Sequence, residues 1–345
     1  NDSEGAVSDI SLSEVIRTMR ECVFVVGENL RIIIANNQAN SVFSKFGETV
    51  VGKRFSEVVR SLEVHNAFIA ALKDGITTHD GINVTVNESR TFQVTVSPLN
   101  TNTSKNAIGY FYETTRVERL EKIRQEFLSN ISHELRTPLT SILAFVETLE
   151  SGGINDEKNN VRFLEIIRRN AERMQALIHD ISELSSIESG NISLEVISLN
   201  LYELVNEVFA TLSTKAGERG IILENDVSPN IKINADVLRL EQMLVNLVDN
   251  AIKFNFEKGH VRISFSETDK FSTIKIKDTG EGIPKEHLTR VFERLYRIDR
   301  SRTREVGGTG LGLAIVKHLA LLHGGSVEVN SEIGSGTNFR LVFPK

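Results

Sequence analysis

At 345 residues, 40% hydrophobic and 25% charged, the chain has a globular composition and is too long for one ordinary domain, so two or three are expected. Its 40 basic and 46 acidic side chains leave a net charge of −6 without a long basic run, which argues against direct nucleic-acid binding. Cys22 is the only cysteine, so an internal disulfide and a thiolate metal cluster are excluded, in keeping with a reducing compartment. No apolar run reaches the roughly 18 residues that a membrane-spanning helix needs, and no signal-peptide pattern opens the chain. The first residue is Asn1 rather than Met, as expected of a processed chain or an excised fragment.

Residues 1–9 are small, polar and acidic and read as a frayed start or the end of an upstream linker, followed by a short helix over Ser11–Arg20. Cys22–Val26 and Leu30–Ala35 read as strands joined by a Gly27-Glu28-Asn29 turn. Helices are expected over Asn36–Phe46 and within Val58–Lys73. Strands follow at Ile82–Val86, Phe92–Ser97 and Ala107–Glu113, with 98–106 as a polar hairpin loop. This is an α+β layout. It resembles a PAS sensory domain, including the Ile33-Ile34-Ala35-Asn36 strand exit and Val51-Gly52-Lys53. Glu113-Thr114-Thr115 stands where that family usually has Asp-Ile/Val-Thr, and keeps the carboxylate. PAS domains hold haem, flavin, small acids or nothing. His65 and His79 are haem ligands in principle. With no supporting partner visible for either, a solvated or core-satisfying histidine is the simpler reading. Cys22 lacks the Asn-Cys-Arg-Phe context of photoactive flavin domains, so buried packing is its default. No tightly bound cofactor is expected here.

From Val117 the pattern is helical. Val117, Leu120, Ile123, Phe127 and Ile131 are interleaved with charges, as in a short coiled-coil linker. Phe127, Ile131 and Leu135 form one apolar stripe, and His133 lies off it with Asn130 and Thr137 on its face. An exposed histidine beside a carboxylate can act as a nucleophile, because Glu134 can orient the imidazole and stabilise positive charge on it. Pro138 removes the helix hydrogen bond to the Glu134 carbonyl, so a loosened or kinked turn is expected. The plain alternative is a surface histidine on a kinked helix. His133-Glu134-Leu135-Arg136-Thr137-Pro138-Leu139 resembles the phosphoacceptor box of bacterial sensor histidine kinases. The helix should end near Glu150 at Ser151-Gly152-Gly153, with Asp156 as a candidate cap for a second helix reaching about Ser189. Along that helix Val161, Leu164, Ala171, Met174, Ile178 and Ile181 make an apolar stripe. Two amphipathic helices cannot bury both stripes alone, so pairing into a four-helix bundle, and hence a homodimer, is expected.

An α/β domain begins at Ile192, with helices near 201–214, 237–254 and 311–323 and Asp236 as N-cap of the second. Leu240, Met243, Leu244, Leu247, Val248 and Ala251 form its buried face, and Asn246, Asn250 and Lys253 share another. Amide oxygens suit a Mg²⁺ held mainly by phosphates and water. Lys253 offers a point charge for phosphate. Asp278-Thr279-Gly280-Glu281-Gly282-Ile283-Pro284 follows a strand; its glycines allow close backbone approach to a ligand. A carboxylate there can accept from the exocyclic amine of adenine. Gly307-Gly308-Thr309-Gly310-Leu311-Gly312-Leu313 opens a helix, where free N–H groups favour phosphate. It is neither a P-loop nor a Rossmann fingerprint.

Asn246–Phe254, Asp278–Gly282, Phe292–Arg297, Gly308–Leu313 and Gly334-Ser335-Gly336-Thr337 together resemble the asparagine, glycine and phenylalanine boxes of the GHKL ATP-binding fold. The resemblance implies Asn250, with Asn246, as Mg²⁺ ligands, and Lys253 and Phe254 beside the nucleotide. It places Asp278 on the adenine amine and Gly280, Gly282 and Ile283 about the ring. Gly308, Thr309, Gly310, Leu311, Gly312, Leu313 and Thr337 complete the nucleotide contacts, with Arg297 approaching the γ-phosphate. Leu295 stands where many relatives carry Phe, and Ile298–Val306 is the expected mobile lid. The implied architecture is multidomain: a PAS domain over 1–115, linker and helical hairpin over 116–190, and an α/β-sandwich ATP-binding domain over 191–345.

The implied activity is transfer of the ATP γ-phosphoryl group to His133, with Glu134 as orienting base, and then to an aspartate of a response regulator. Glu134-Leu135-Arg136-Thr137 resembles the family's phosphatase element. The run from linker to acceptor resembles phosphate-regulon-type sensor kinases, whose kinase portion is cytoplasmic and often attached to an inner-membrane sensor. Two alternatives stand beside this reading. A GHKL ATPase clamp places a water-activating glutamate where Asn246 stands here, and an amide cannot take a proton. A non-enzymatic sensor module with a dead kinase is at odds with the intact His133, Asn250 and Asp278 set.

Overall fold

The computed structural model describes residues 16–44, 47–78, 81–86, 90–101, 104–298 and 308–345, and the chain divides into two compact units, 1–126 and 127–345. The first unit is a five-stranded antiparallel sheet with helices inserted after its second strand. Its elements are β1 (Cys22–Gly27), β2 (Ile32–Ala35), α1 (Asn37–Phe43), α2 (Phe55–Val58), α3 (Leu62–Asp74), β3 (Ile82–Val86), β4 (Arg90–Thr101) and β5 (Ser104–Glu113). The strand order is β2-β1-β5-β4-β3. All six residues of β1 are buried. Cys22, Phe24 and Val26 face the main core, while Val23 and Val25 meet Ile16 and Ile108 on the other side.

Phe24, Phe43, Phe55, Phe68, Phe92 and Phe111 fill the space between sheet and helices, with neighbouring ring centroids 4.4–6.4 Å apart. Burial, then the nearby Glu113 carboxylate, pushes the Cys22 thiol up to about 12, so this sulfur is an inert packing group. His65 is half-buried on α3; His79 lies outside the described residues. The helix expected within Val58–Lys73 starts at Leu62, because the Ser61 hydroxyl accepts from Val64 N and caps it. One expectation needs correction. The 98–106 stretch is mostly ladder rather than loop: Leu99 pairs with Asn106 and Asn100 with Lys105. Polar side chains do not prevent pairing in a hairpin, since the backbone supplies the bonds.

In the second unit, α4 (Thr115–Glu150) brings its later half against α5 (Asn160–Glu188) in a hairpin. Phe145 and Phe163 meet at 5.5 Å near its closed end, and Asn170 Nδ2 donates to Ser141 Oγ at 3.3 Å. Asp156 does not cap the second helix: its carboxylate accepts from Asn159 Nδ2 and Lys158 N, and helix begins at Asn160. The remaining elements are β6 (Ile197–Asn200), α6 (Leu201–Glu218), β7 (Ile222–Asp226), β8 (Lys232–Ala235), α7 (Val237–Lys253), β9 (His260–Glu267), β10 (Phe271–Asp278), α8 (Gly312–Leu322), β11 (Ser326–Glu332) and β12 (Gly336–Pro344). The main sheet runs β11-β12-β10-β9-β7, with only β7 and β9 parallel, and β6 pairs with β8 separately. Its buried face and α6, α7 and α8 share one apolar cluster, to which α7 contributes the six expected core residues.

Asp236 caps α7, accepting from Arg239 N at 3.1 Å and Glu195 N at 2.9 Å. Burial opposes its charge, but these two N–H groups, together with the nearby Arg239 and His323, outweigh it and hold the carboxyl below its ordinary value. Among the described residues no helix is long and apolar enough to cross a membrane. Phe24, fully buried and touching Phe43, Phe55 and Phe111, is the keystone of the first unit. Phe24→Ala should lower its unfolding free energy by about 3–5 kcal/mol in urea denaturation; a loss below about 1 kcal/mol would contradict this packing.

Candidate active site

Helix α4 presents His133 to solvent, and helical pairing continues through Pro138, the one fully buried residue of α4. On either side of Pro138, Thr137 Oγ1 donates to the His133 carbonyl at 3.2 Å and Thr140 Oγ1 to the Arg136 carbonyl at 2.9 Å. Beside the histidine, Glu134 Oε2 is shared by two guanidinium groups. Arg173 of α5 reaches it at 3.3 Å, and Arg297 of the α/β domain at 3.2 Å. The Arg297 side chain is 4% exposed and also donates to the Gly308 carbonyl at 2.6 Å.

The second half of the site lies at the end of β10. Asp278 is buried, and its Oδ1 accepts from Gly280 N at 2.8 Å and Thr337 N at 3.1 Å. Burial dominates over those two bonds and raises its carboxyl above the ordinary value. Among the described residues nothing donates to Oδ2, which leaves an acceptor suited to an amine donor. Ser331, which the sequence reading missed, ties the neighbouring loops together. Its hydroxyl donates to the Gly336 carbonyl and accepts from Ile283 N, both at 2.8 Å, and meets the Thr337 hydroxyl at 2.9 Å. Asn255 was missed too: its Oδ1 accepts from the Thr279 hydroxyl and its Nδ2 donates to the His260 carbonyl. No periodicity marks either residue. The glycines serve backbone packing more than ligand approach. A Cβ on Gly282, at φ +76°, would stand 2.1 Å from the Glu332 carbonyl, and one on Gly280 2.4 Å from that of Phe254.

Asn246 and Asn250 stand half-buried on α7, and neither side-chain amide is engaged by a described residue. Asn246 Oδ1 lies 2.9 Å from where a Cβ on Gly312 would be, so the start of α8 is seated on the asparagine face. Lys253 follows on the same helix. Its ammonium pairs with Asp249 at 2.5 Å, and Lys215 joins the same carboxylate at 3.0 Å. Burial raises the Asp249 carboxyl, but the two lysines outweigh it and leave it below its ordinary value. Phe254 is exposed just past the helix end, while Leu311 is fully buried and Leu313 partly so in the core cluster. Gly310, at φ +76°, lets its carbonyl accept from Leu295 N at 2.9 Å. Thr309 Oγ1 donates to Asp180 Oδ2 of α5 at 2.5 Å. Residues 299–307, which hold Gly307 and nearly all of the expected lid, lie outside the described residues.

These contacts are part of a wider joint between hairpin and α/β domain. Leu177, Leu184 and Ile187 of α5 are buried in the domain's apolar cluster, and Phe127, Ile131 and Leu135 of α4 pack against it. Around them Arg239 pairs with Glu183 at 2.8 Å, His318 Nε2 meets Glu188 at 3.3 Å, and the Arg294 guanidinium lies 5.2 Å from the Phe127 ring centre. α5 carries a second apolar face, Leu177, Leu184 and Ile187, beside the stripe expected to pair with another copy. Val161, Leu164 and Ile178, expected to be covered, are 55–61% exposed in the single chain.

Three domain models match the sequence: a PAS fold over 17–119, a His kinase A (phospho-acceptor) domain over 123–190, and a histidine kinase-, DNA gyrase B- and HSP90-like ATPase over 235–345. A Staphylococcus aureus protein named sensor protein kinase WalK is 31% identical over 346 residues, covering 96% of this chain and 80% of that protein. The chain belongs to the sensor histidine kinases. Sensor histidine kinase WalK of Bacillus subtilis (strain 168) is 29% identical over 340 residues, and the chain spans 55% of its length and 96% of its own. The fold resembles that of histidine kinase ThkA, crystallised in complex with response regulator protein TrrA. Its TM-score is 0.54 and its identity 22%, over 96% of this chain and 97% of that one. Acinetobacter baumannii histidine kinase AdeS gives 0.51 at 25% identity, over 61% and 97%. The ATPase match makes the 235–345 domain of this sensor kinase an ATP-using one.

Two outcomes follow from the packing of this sensor kinase. Gly282→Ala should destabilise the second unit by about 1–3 kcal/mol in thermal or urea unfolding, from a strained left-handed residue and the clash with Glu332; an unchanged midpoint would refute it. Burial raises the Asp180 carboxyl above its ordinary 3.8, only partly offset by the Thr309 hydroxyl. A raised carboxyl costs stability when ionised, so the cost is full above the folded value and vanishes as pH falls toward 3.8. Asp180→Asn, which keeps an acceptor for Thr309, should therefore raise the melting temperature at pH 7–8, with the gain shrinking toward pH 4. A constant or negative difference across that range would contradict it.

Proposed function

We propose that this chain is the autophosphorylating kinase portion of a two-component sensor, using ATP to phosphorylate His133 and passing the group to an aspartate of a response regulator. The observation that carries the reading is the Arg297–Glu134 contact. It joins the edge of the nucleotide-type pocket to the carboxylate beside an exposed histidine. In this reading 1–115 senses, 116–190 accepts phosphoryl and dimerises, and 191–345 binds ATP. The free oxygen of Asp278 takes the adenine amine, with Gly280, Gly282, Ile283 and Thr337 forming that end. Gly308 to Leu313 and Phe254 line the rest. The Gly308–Gly312 backbone and Arg297 face the phosphates.

A ring nitrogen of His133 attacks the γ-phosphorus through its lone pair. A nitrogen–phosphorus bond forms as the phosphorus–oxygen bond to ADP breaks, and ADP keeps that electron pair. Glu134 orients the ring, stabilises its growing positive charge and accepts the proton from its other nitrogen. The unengaged amide oxygens of Asn246 and Asn250 are neutral hard donors that fit Mg²⁺, which would supply charge neutralisation at the phosphates. Lys253, committed to Asp249, acts as a support of α7 rather than a first phosphate contact.

The exposed Val161, Leu164, Ile178, Leu139 and Leu143 of the hairpin support pairing with a second copy into a four-helix bundle. ThkA's complex with a response regulator supports a receiver domain as the phosphoryl acceptor. A cytoplasmic site of action agrees with the use of ATP. The Thr137 hydroxyl, one turn beyond His133, is proposed to align water against the regulator's aspartyl phosphate in a reverse reaction; Thr137→Ala that keeps full phosphatase activity would refute this.

Incubation with Mg²⁺ and γ-labelled ATP should give protein label that is lost in acid, survives alkali and is absent from His133→Ala. Steady phosphate release from both proteins with no label would replace the kinase reading by an ATPase one.

A further inference from the structure

Glu134 has two cationic partners of different origin, and only one belongs to the acceptor hairpin. Arg173 stands on α5 with Leu177, Asp180 and Leu184 at four-, three- and four-residue steps, so it lies on the face turned to α4 and the α/β domain. Its side chain and that of Glu134 are 22% and 21% exposed, a partly dehydrated pair in which charge and geometry count for more than at the surface. One turn earlier, Asn170 bonds to Ser141 across the hairpin and fixes the local register. Both guanidinium groups meet Oε2, while among the described residues nothing donates to Oε1. One oxygen is anchored and the other is left for a proton.

Resting on the kinase reading above, we propose that Arg173 is a positioning residue for phosphoryl transfer to His133. It holds Oε2 of Glu134 while Arg297 leaves that carboxylate for the nucleotide, so that Oε1 remains available to the imidazole. Arg297 Nη2 meets both Glu134 and the Gly308 carbonyl, so a turn of that guanidinium toward the nucleotide would withdraw it from Glu134. Without Arg173, departure of Arg297 would release Glu134 to other rotamers at the moment it is needed. The bond changes are those already given: nitrogen–phosphorus forms, phosphorus–oxygen to ADP breaks, and the ring proton goes to Oε1. Arg173 touches none of the reacting atoms.

The test is a cycle of Arg173→Gln, Arg173→Lys, Glu134→Gln and the Arg173→Gln/Glu134→Gln double variant in the full chain. The readouts are initial rates of phosphohistidine formation against ATP concentration. Arg173→Gln should lower kcat on the order of tenfold, with KM for ATP changed less than about threefold. Arg173→Lys should recover a substantial part of the rate, and the double variant should be no slower than Glu134→Gln alone. Multiplicative losses in the double variant, or a loss confined to KM, would overturn the proposal. Absence of phosphohistidine in the wild type would instead overturn the kinase reading on which it rests.

Discussion

The arrangement of the second unit depends on one carboxylate. Glu134 is the residue next to the acceptor histidine, and it is also where the α/β domain grips the hairpin through Arg297. A partly buried carboxylate is costly without cations and stable with them. In the proposed mechanism, the side chain that prepares the acceptor also helps to decide where the α/β domain rests. Chemistry and docking are tied together at a single oxygen.

The strength of that joint comes mainly from apolar burial. Leu177, Leu184 and Ile187 are each at most 4% exposed against the α/β core, and full burial of such side chains is worth about 1.5–3 kcal/mol apiece. The ion pairs around them are partly exposed and contribute less each, but they set register and direction. The Asp180–Thr309 and Glu134–Arg297 contacts fall on either side of residues 299–307 in sequence. Two groups read here as nucleotide contacts are thus occupied by carboxylates of the hairpin. A triphosphate offers the same kind of anionic oxygen, so under the proposed function nucleotide and hairpin carboxylates would compete for the same donors.

Much of this was legible in the sequence because it depends on local rules. The α7 core face, its Asp236 cap and the start of α8 on a glycine run follow from helical periodicity and capping. His133, Asp278 and Asn250 could be picked out because their residue types and spacings carry chemistry. What the sequence hid is tertiary. α5 carries two apolar faces, and periodicity could not say that Leu177, Leu184 and Ile187 meet the α/β core while Val161 and Leu164 stay exposed. Nor does the sequence show that Lys253 pairs with Asp249. The roles of Ser331, Asn255 and Arg173 rest on partners 48, 24 and 39 positions away, a distance no helical or strand period reaches.

The central claim is that Arg297 is shared between Glu134 and the nucleotide. The most direct measurement is the dissociation constant of a non-hydrolysable ATP analogue for the wild type and for Glu134→Gln, by calorimetry. If the carboxylate holds Arg297 away from the phosphates, removing its charge frees the guanidinium and tightens binding, by roughly three- to tenfold for a population shift of about 1 kcal/mol. Equal affinities in the two proteins, or weaker binding in Glu134→Gln, would contradict the account.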